Sequence, residues 1–371
     1  MIPAERSHLH VAARSHPGMS GKNNEDRYAV SALRLSHDNP LPVVFAVVSD
    51  GIGGHRAGEI AAEIAIHKVS DEIEASDASN PVKTLKQAIV HASEKIHTQS
   101  EQNPEYRGMG ATCACGWVID NRLYVANVGD SRIYLIRNGQ ITQVSSDHTW
   151  IQEAIDAGLL TPEEANGHPN THVIRRYLGS NTPVEPDLRL RLDSNESTAQ
   201  SEKNQGLILL PGDQVLLCSD GLTDLVEDQE ILTTMETEKL EKALDQLVDL
   251  ANQRGGHDNI TIVAMKMPKS VPQAEFALPG TRKSNTLRIG LIVSMVLALI
   301  SVVLVVGTYL IWNYGLSFPL PTAEDTPTQQ IIQPTMEEIL TLEASAEPTI
   351  TQALTPEPTL TSWPVTPAAP E

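Results

Sequence analysis

Two stretches of this chain, VVSDG at 47–51 and LLCSDG at 216–221, run from an unbroken apolar segment straight into Ser-Asp-Gly. No other feature constrains the fold as much, because a strand covered on both faces can present an acid only where it reaches the rim of its sheet. LPVVFAVV, from Leu41 to Val48, is rich in valine and does not alternate, which predicts such a strand. A third strand-like run, YVANVGDSR at 124–132, also ends in Gly-Asp, while Asp258 in GGHDNITIV and Asp26 in NNEDRYAV stand just before further strands. One Asp-Gly is usually a turn. Acids at so many strand ends point instead to ends that converge.

Converging carboxylates repel, and some must keep a proton unless a cation sits among them. A divalent metal removes that cost. The available donors are carboxylates and glycine carbonyls, and His and Cys do not cluster at zinc-like spacing, so the preference is for Mg²⁺ or Mn²⁺.

Between Val48 and the next strands lie two amphipathic patterns. One runs from Gly58 to Glu72 with Ile60, Ala61, Ile64 and Ala65 on one side, the other from about Pro81 to Gln99 with Leu85, Ile89, Ala92 and Ile96. A strand-rich block follows, ATCACGWVI, RLYVANV, SRIYLIR and QITQVS, with Asn138-Gly139 as a hairpin signal. Residues 149–180 predict short helices around a capping pattern at Thr161. The polar stretch 193–206 reads as a surface insertion before a strand pair, GLILL and QVLLC, and a helix from about Glu236 to Gln253 precedes the last strand. Hairpins and helices in separate blocks predict an α+β fold with helix layers on sheets. Cys113, Cys115 and Cys218 lie in apolar strands, with the first two on one face, and read as buried reduced thiols.

Composition changes sharply after residue 267. Residues 289–312 carry no charge and are long enough, at about 1.5 Å per residue, to cross roughly 30 Å of hydrocarbon. This predicts one transmembrane helix. Arg282, Lys283 and Arg288 precede it and neither Lys nor Arg follows, so the positive-inside rule puts the N-terminal part in the cytoplasm and the tail outside. The expected division is a domain at 1–267, a juxtamembrane linker at 268–288, the helix at 289–312 and a disordered Pro/Thr-rich tail at 313–371. The formal net charge of −20 argues against nucleic acid as a partner.

Taken in order, NNEDRY, VVSDGIGGHRAGE, GMGATC, VGDSR, LLCSDGLTD and GGHDNITIV resemble the metal-dependent protein Ser/Thr phosphatases of type 2C, bacterial-type and membrane-anchored, over about His8 to Met267. DHTWIQEAIDAGLLTPEEANGHP resembles the flap of that family. The resemblance implies a four-layer α-β-β-α sandwich with two central antiparallel sheets, in agreement with the α+β pattern. It also implies hydrolysis of phosphoserine and phosphothreonine in proteins by a metal-activated water, and the predicted helix and its orientation would set this at the cytoplasmic face of the plasma membrane. Asp50 would bridge two Mn²⁺ or Mg²⁺ ions, with the Gly51 carbonyl on one and Asp220 and Asp258 completing the other. Glu25 and Asp26 would hold waters around the metals, and Asp130 and Asp224 match positions that bind a third, weaker ion. The implied partners are phosphorylated Ser/Thr proteins and a Ser/Thr protein kinase whose action is opposed; membrane lipid follows from the predicted helix at 289–312.

A leaving alkoxide needs a proton, for which His55 is the nearest candidate in sequence; a surface histidine capping the following helix is the alternative. Where the family commonly carries a phosphate-binding arginine, four residues before Glu25, this chain has Gly21, with Lys22 beside it. Lys22 is therefore the candidate phosphate ligand, with Arg14, Arg175 and Arg176 behind it. That departure keeps a second reading open, a catalytically weak phosphatase-like domain that binds phosphoproteins. An interaction protein working through its Pro/Thr tail is a third.

Overall fold

The structure, a computed structural model, describes residues 1–53, 57–165, 167–193 and 195–269, with isolated positions beyond 305. The chain divides into two units, Met1–Pro279 and Gly280–Glu371, and the fold is that of the first. Strands β1 (Ile2–Pro3), β2 (His10–His16), β3 (Arg27–Arg34), β4 (Pro42–Ser49) and β5 (Gly51–Ile52) precede helices α1 (Ala57–Ala75) and α2 (Pro81–Gln102). Next come β6 (Gly110–Ala111), β7 (Cys113–Ile119), β8 (Arg122–Val128), β9 (Arg132–Arg137) and β10 (Gln140–Gln143), then helices α3 (Trp150–Asp156), α4 (Pro162–Ala165) and α5 (Thr198–Lys203). The remainder is β11 (Leu207–Ile208), β12 (Gln214–Cys218), helices α6 (Asp220–Thr223), α7 (Asp228–Thr237) and α8 (Leu240–Gln253), and β13 (Ile260–Lys266).

The strands form two large antiparallel sheets, ordered β1-β3-β4-β7-β8-β11 and β10-β9-β12-β13-β2, with β5 and β6 as a separate pair. The unbroken apolar runs are explained by which core each residue enters. In β4, Val43, Phe45 and Val47 pack under α1 and α2, while Val44, Ala46 and Val48 face the other sheet. In β12, Val215 and Leu217 share that inter-sheet core, and Leu216 and Cys218 pack under α7 and α8. Helices therefore cover both outer faces, the expected sandwich. Cys113 and Cys115 share a face, buried and free, with their sulfurs 3.4 Å apart.

Two local expectations change. GLILL and QVLLC do not pair: β11 joins β8 in the first sheet and β12 lies between β9 and β13 in the second. The helix expected from Glu236 breaks into α7 and α8, the latter burying Leu240, Leu244, Leu247 and Ala251. The polar stretch 193–206 is mostly exposed, the expected surface insertion, and it is anchored at its end, where Gln205 accepts the Val125 N–H at 3.0 Å and donates to the Val125 and Leu188 carbonyls at 2.7 Å each. The capping pattern at Thr161 is present, with Glu164 accepting from the Thr161 N–H at 2.9 Å. Among the described residues no helix is long and apolar enough to cross a membrane. The expected transmembrane helix at 289–312, the linker and the tail lie, apart from a few positions, outside the described residues.

Candidate metal centre

Antiparallel pairing gathers the acids at one rim. Arg27 pairs with Ser49, so Asp26 at the start of β3 adjoins Asp50 at the end of β4. Cys218 pairs with Ile262, which sets Asp220 beside the residues that lead into β13, Asp258 among them. The two sheets meet where Ser219 Oγ donates to Asp26 Oδ2 at 2.7 Å, the same hydroxyl accepting the Thr261 N–H at 3.0 Å. The backbone of Asp50 is held by Thr112, whose N–H donates to the Asp50 carbonyl and whose hydroxyl accepts the Asp50 N–H, each at 2.8 Å. Thr112 Oγ1 also lies 2.7 Å from Ser131 Oγ, tying this strand end to the turn that carries Asp130.

Gly51 and Gly58 are glycines for a steric reason. A Cβ on Gly51 would collide with the Gly58 carbonyl, and one on Gly58 would lie 2.7 Å from the Gly51 oxygen and against Glu25 Oε2. The β4 end and the start of α1 thus approach closely, with the Gly51 carbonyl and the Glu25 carboxylate both against Gly58. The Glu25 N–H donates to Asn259 Oδ1 at 2.7 Å, and Asn259 Nδ2 donates to the Pro17 and Asn23 carbonyls at 3.1 and 3.2 Å.

The electrostatics are those of crowded acids. Burial, and then Asp26, Asp220, Asp130 and Asp258, push the Asp50 carboxyl well above the usual range. Asp26 is raised to about 7 by burial, with Asp220 and Asp258 adding to it against hydrogen bonds from Ser219 and Thr261. Asp220 rises to about 6 through burial, Asp224 and Asp258. Asp130 is raised by burial first and then by Asp220, Asp147 and Asp224. For Asp224, burial outweighs the opposing His172, Arg132 and His257.

Among the described residues, one oxygen each of Asp26, Asp130 and Asp220 is buried without a hydrogen-bond partner. Orphaned carboxylate oxygens that raise one another's pKa fit hard divalent cations. His172, Asp220 and Asp224 also offer ligand atoms within 4.8 Å of one another, a grouping with His172 that sequence reading missed.

Of the residues expected from sequence, Asp50, Gly51, Glu25, Asp26, Asp130, Asp220, Asp224 and Asp258 come together at this rim. His55 lies outside the described residues. Lys22 is exposed and makes neither hydrogen bond nor ion pair among the described residues, and Gly21 before it adopts φ +74°. Arg14 pairs with Asp245, Arg175 with Glu153 at 3.3 Å, and Arg176 donates to the Glu185 carbonyl at 3.0 Å. Ser219, Thr112 and Asn259 were not singled out in the sequence. The signal for them lay in the quoted blocks LLCSDG, GMGATC and HDN, each polar residue adjoining an acid or a strand end.

Comparison with known proteins gives one answer. Residues 15–262 match the family model described as Protein phosphatase 2C. The serine/threonine protein phosphatase PstP of Mycobacterium tuberculosis is 35% identical over 255 residues, 69% of this chain, and the chain spans only 44% of that relative's length. A putative protein phosphatase 2C-type of Streptococcus pyogenes is 32% identical over 258 residues, covering 68% of this chain and 96% of that protein. The crystal structure of the PstP catalytic domain in complex with two manganese ions superposes with a TM-score of 0.57 at 33% identity, over 70% of this chain and 98% of that one.

Proposed function

The chain belongs to the protein phosphatase 2C family, and from that premise we propose that it removes phosphate from phosphoserine and phosphothreonine in proteins, using Mn²⁺ or Mg²⁺. The observation that carries the reading is the rim of mutually repelling acids with orphaned oxygens on Asp26, Asp130 and Asp220. When bound, two divalent ions supply the charge that lowers the pKa of water and neutralises phosphate oxygens.

The remaining steps belong to the chain. Asp50, with Asp26, Asp220, Asp130 and Asp258 raising its carboxyl, would hold the ions together with the Gly51 carbonyl, Asp220 and Asp258. Asp130 and Asp224, with His172, would hold a third. Ser219 fixes Asp26 Oδ2 and leaves Oδ1 to accept from water, so Asp26 and Glu25 orient the solvent that enters. Lys22 would bring its ammonium to the outer phosphate oxygens, and His55 would return a proton to the leaving alkoxide. Cysteine takes no part: Cys113, Cys115 and Cys218 are buried in the cores.

In the same reading, residues 289–312 anchor the protein as a single-pass helix in the plasma membrane, with the phosphatase domain in the cytoplasm and the tail outside. The basic residues on one side of that run support this. The chemistry requires a Ser/Thr kinase to supply the substrates. The test is an assay of the full chain on a phosphothreonine peptide with Mn²⁺, with EDTA, and as Asp50→Asn. Turnover with Mn²⁺, its loss in EDTA and its near-complete loss in Asp50→Asn are expected. Undiminished turnover in Asp50→Asn would sink the two-metal assignment, and peptide binding without turnover in the parent would favour a binding module.

A further inference from the structure

We propose that His148 is a positioning residue for the third ion: its imidazole, braced by Asp187, fixes the Gly129 peptide and so aims the Asp130 carboxylate at Asp220 and Asp224. The inference rests on the proposed reading of Asp130 as a metal ligand.

The turn between β8 and β9 is gripped from both sides. The Gly129 N–H donates to His148 Nδ1 at 3.0 Å, and the His148 N–H donates to the Gly129 carbonyl at 2.9 Å. Asn127 Nδ2 donates to the same carbonyl at 3.3 Å. Gly129 adopts φ +101°, and a Cβ there would lie 2.6 Å from Thr112 Cγ2, so the peptide is held in a conformation that only glycine takes readily. Asp130 itself is buried, and its Oδ1 has no protein partner. Its aim therefore comes from its chain neighbours, from His148 on the Gly129 peptide and from Thr112 on the Ser131 hydroxyl.

The ring is held in turn. Because Nδ1 accepts, the ring proton belongs on Nε2, which faces Asp187 Oδ2 at 3.6 Å. Arg176 Nη1 lies 3.3 Å from Nε2 but, being a donor itself, makes no hydrogen bond to a protonated Nε2; it donates instead to the Glu185 carbonyl at 3.0 Å. Asp187 is fixed by its ladder to Asn127, at 2.9 Å in both directions, and by Arg189, whose Nε donates to both carboxylate oxygens at 2.9 Å. Burial alone would raise the Asp187 carboxyl, yet hydrogen bonds from His148 and Arg189 hold it well below the usual range, so it stays an anion facing the ring.

Mn²⁺ titration of the full-length chain by calorimetry and electron paramagnetic resonance separates the roles. The parent should bind a tight pair of ions and a weaker third, and Asp130→Asn should lose the third alone. His148→Leu should weaken the third ion roughly ten- to a hundredfold, the usual range for a residue that orients a ligand, while leaving the tight pair unchanged. His148→Asn, whose Oδ1 can accept the Gly129 N–H, should restore most of that affinity. Nitrogen-15 spectra of histidine-labelled parent should find the His148 proton on Nε2, a readout that survives if His148→Leu fails to fold. A third ion bound equally well by parent and His148→Leu, no rescue by His148→Asn, or a proton on Nδ1 would overturn the role of His148. A parent that binds two ions only, or a third unaffected by Asp130→Asn, would instead overturn the reading of Asp130 and this inference with it.

Discussion

Lys22 carries the sharpest residue-scale question, since Gly21 stands where the family commonly has arginine. Gly21 takes φ +74°, with nothing within 4 Å of a notional Cβ, so backbone conformation and not crowding sets the preference for glycine there. Arg14, Arg175 and Arg176 are already paired or bonded, which leaves Lys22 as the uncommitted cation among those considered. Lysine is a point charge on a flexible stem and grips phosphate less precisely than an arginine fork. Lys22→Ala should therefore lower kcat/KM by about ten- to a hundredfold, as loss of a charge-assisted hydrogen bond of roughly 1.5 to 3 kcal/mol requires, with Mn²⁺ affinity unchanged. Steady-state kinetics with a phosphothreonine peptide decide it, and a kcat/KM equal to the parent's removes Lys22 from the site. The acids themselves were legible because each ends or begins an apolar run. Asn259 was legible only as a polar neighbour of Asp258, since the residues it joins, Pro17, Asn23 and Glu25, lie more than two hundred positions away in the chain.

Elements were legible where periodicity decided them and obscure where a partner did. α2 buries Leu85, Ile89, Ala92 and Ile96 as its spacing requires. β11 and β12 misled because a short gap between apolar runs looks like a hairpin, whereas here the chain crosses from one sheet to the other. The stretch 193–206 is the surface insertion its polarity suggests, yet Ser201 and the Gln205 amide are spent on the body of the domain. Ser201 is 1% exposed, its N–H and carbonyl bonded within and beyond α5, and Gln205 stands in for a strand along the β8 edge. Gln205→Leu keeps the bulk and removes the donors and acceptor. It strands the buried Val125 N–H, at a cost of about 1 to 3 kcal/mol. Thermal melting should fall by several degrees while Mn²⁺ affinity holds, and an unchanged melting temperature would show that solvent replaces the latch.

At the scale of the whole molecule, the membrane helix proposed at 289–312, with the charge asymmetry around it, predicts sidedness: protease added to intact cells should trim the tail and spare the phosphatase domain, and digestion of the domain would reverse the orientation. The acid rim predicts how the domain's stability depends on pH without metal. Asp26 is raised to about 7 and Asp220 to about 6, from an ordinary value of 3.8. Between those limits the folded state binds protons that the unfolded chain has released, so the slope of unfolding free energy against pH is negative. Stability is fully present below the unfolded pKa and is lost as pH rises through the folded values. In EDTA the melting temperature should therefore decline from about pH 5 to about pH 8, the reverse of a protein whose carboxylates are salt-bridged. Mn²⁺ replaces those protons with a cation, so with saturating metal the decline should vanish and binding should release protons to the buffer. Asp26→Asn should flatten the metal-free slope in part, because it removes one of the titrating groups and its repulsion of Asp50. A metal-free melting temperature that rises over this range would mean that the acids do not crowd one another, and the case for a divalent cation at this rim would fall with it.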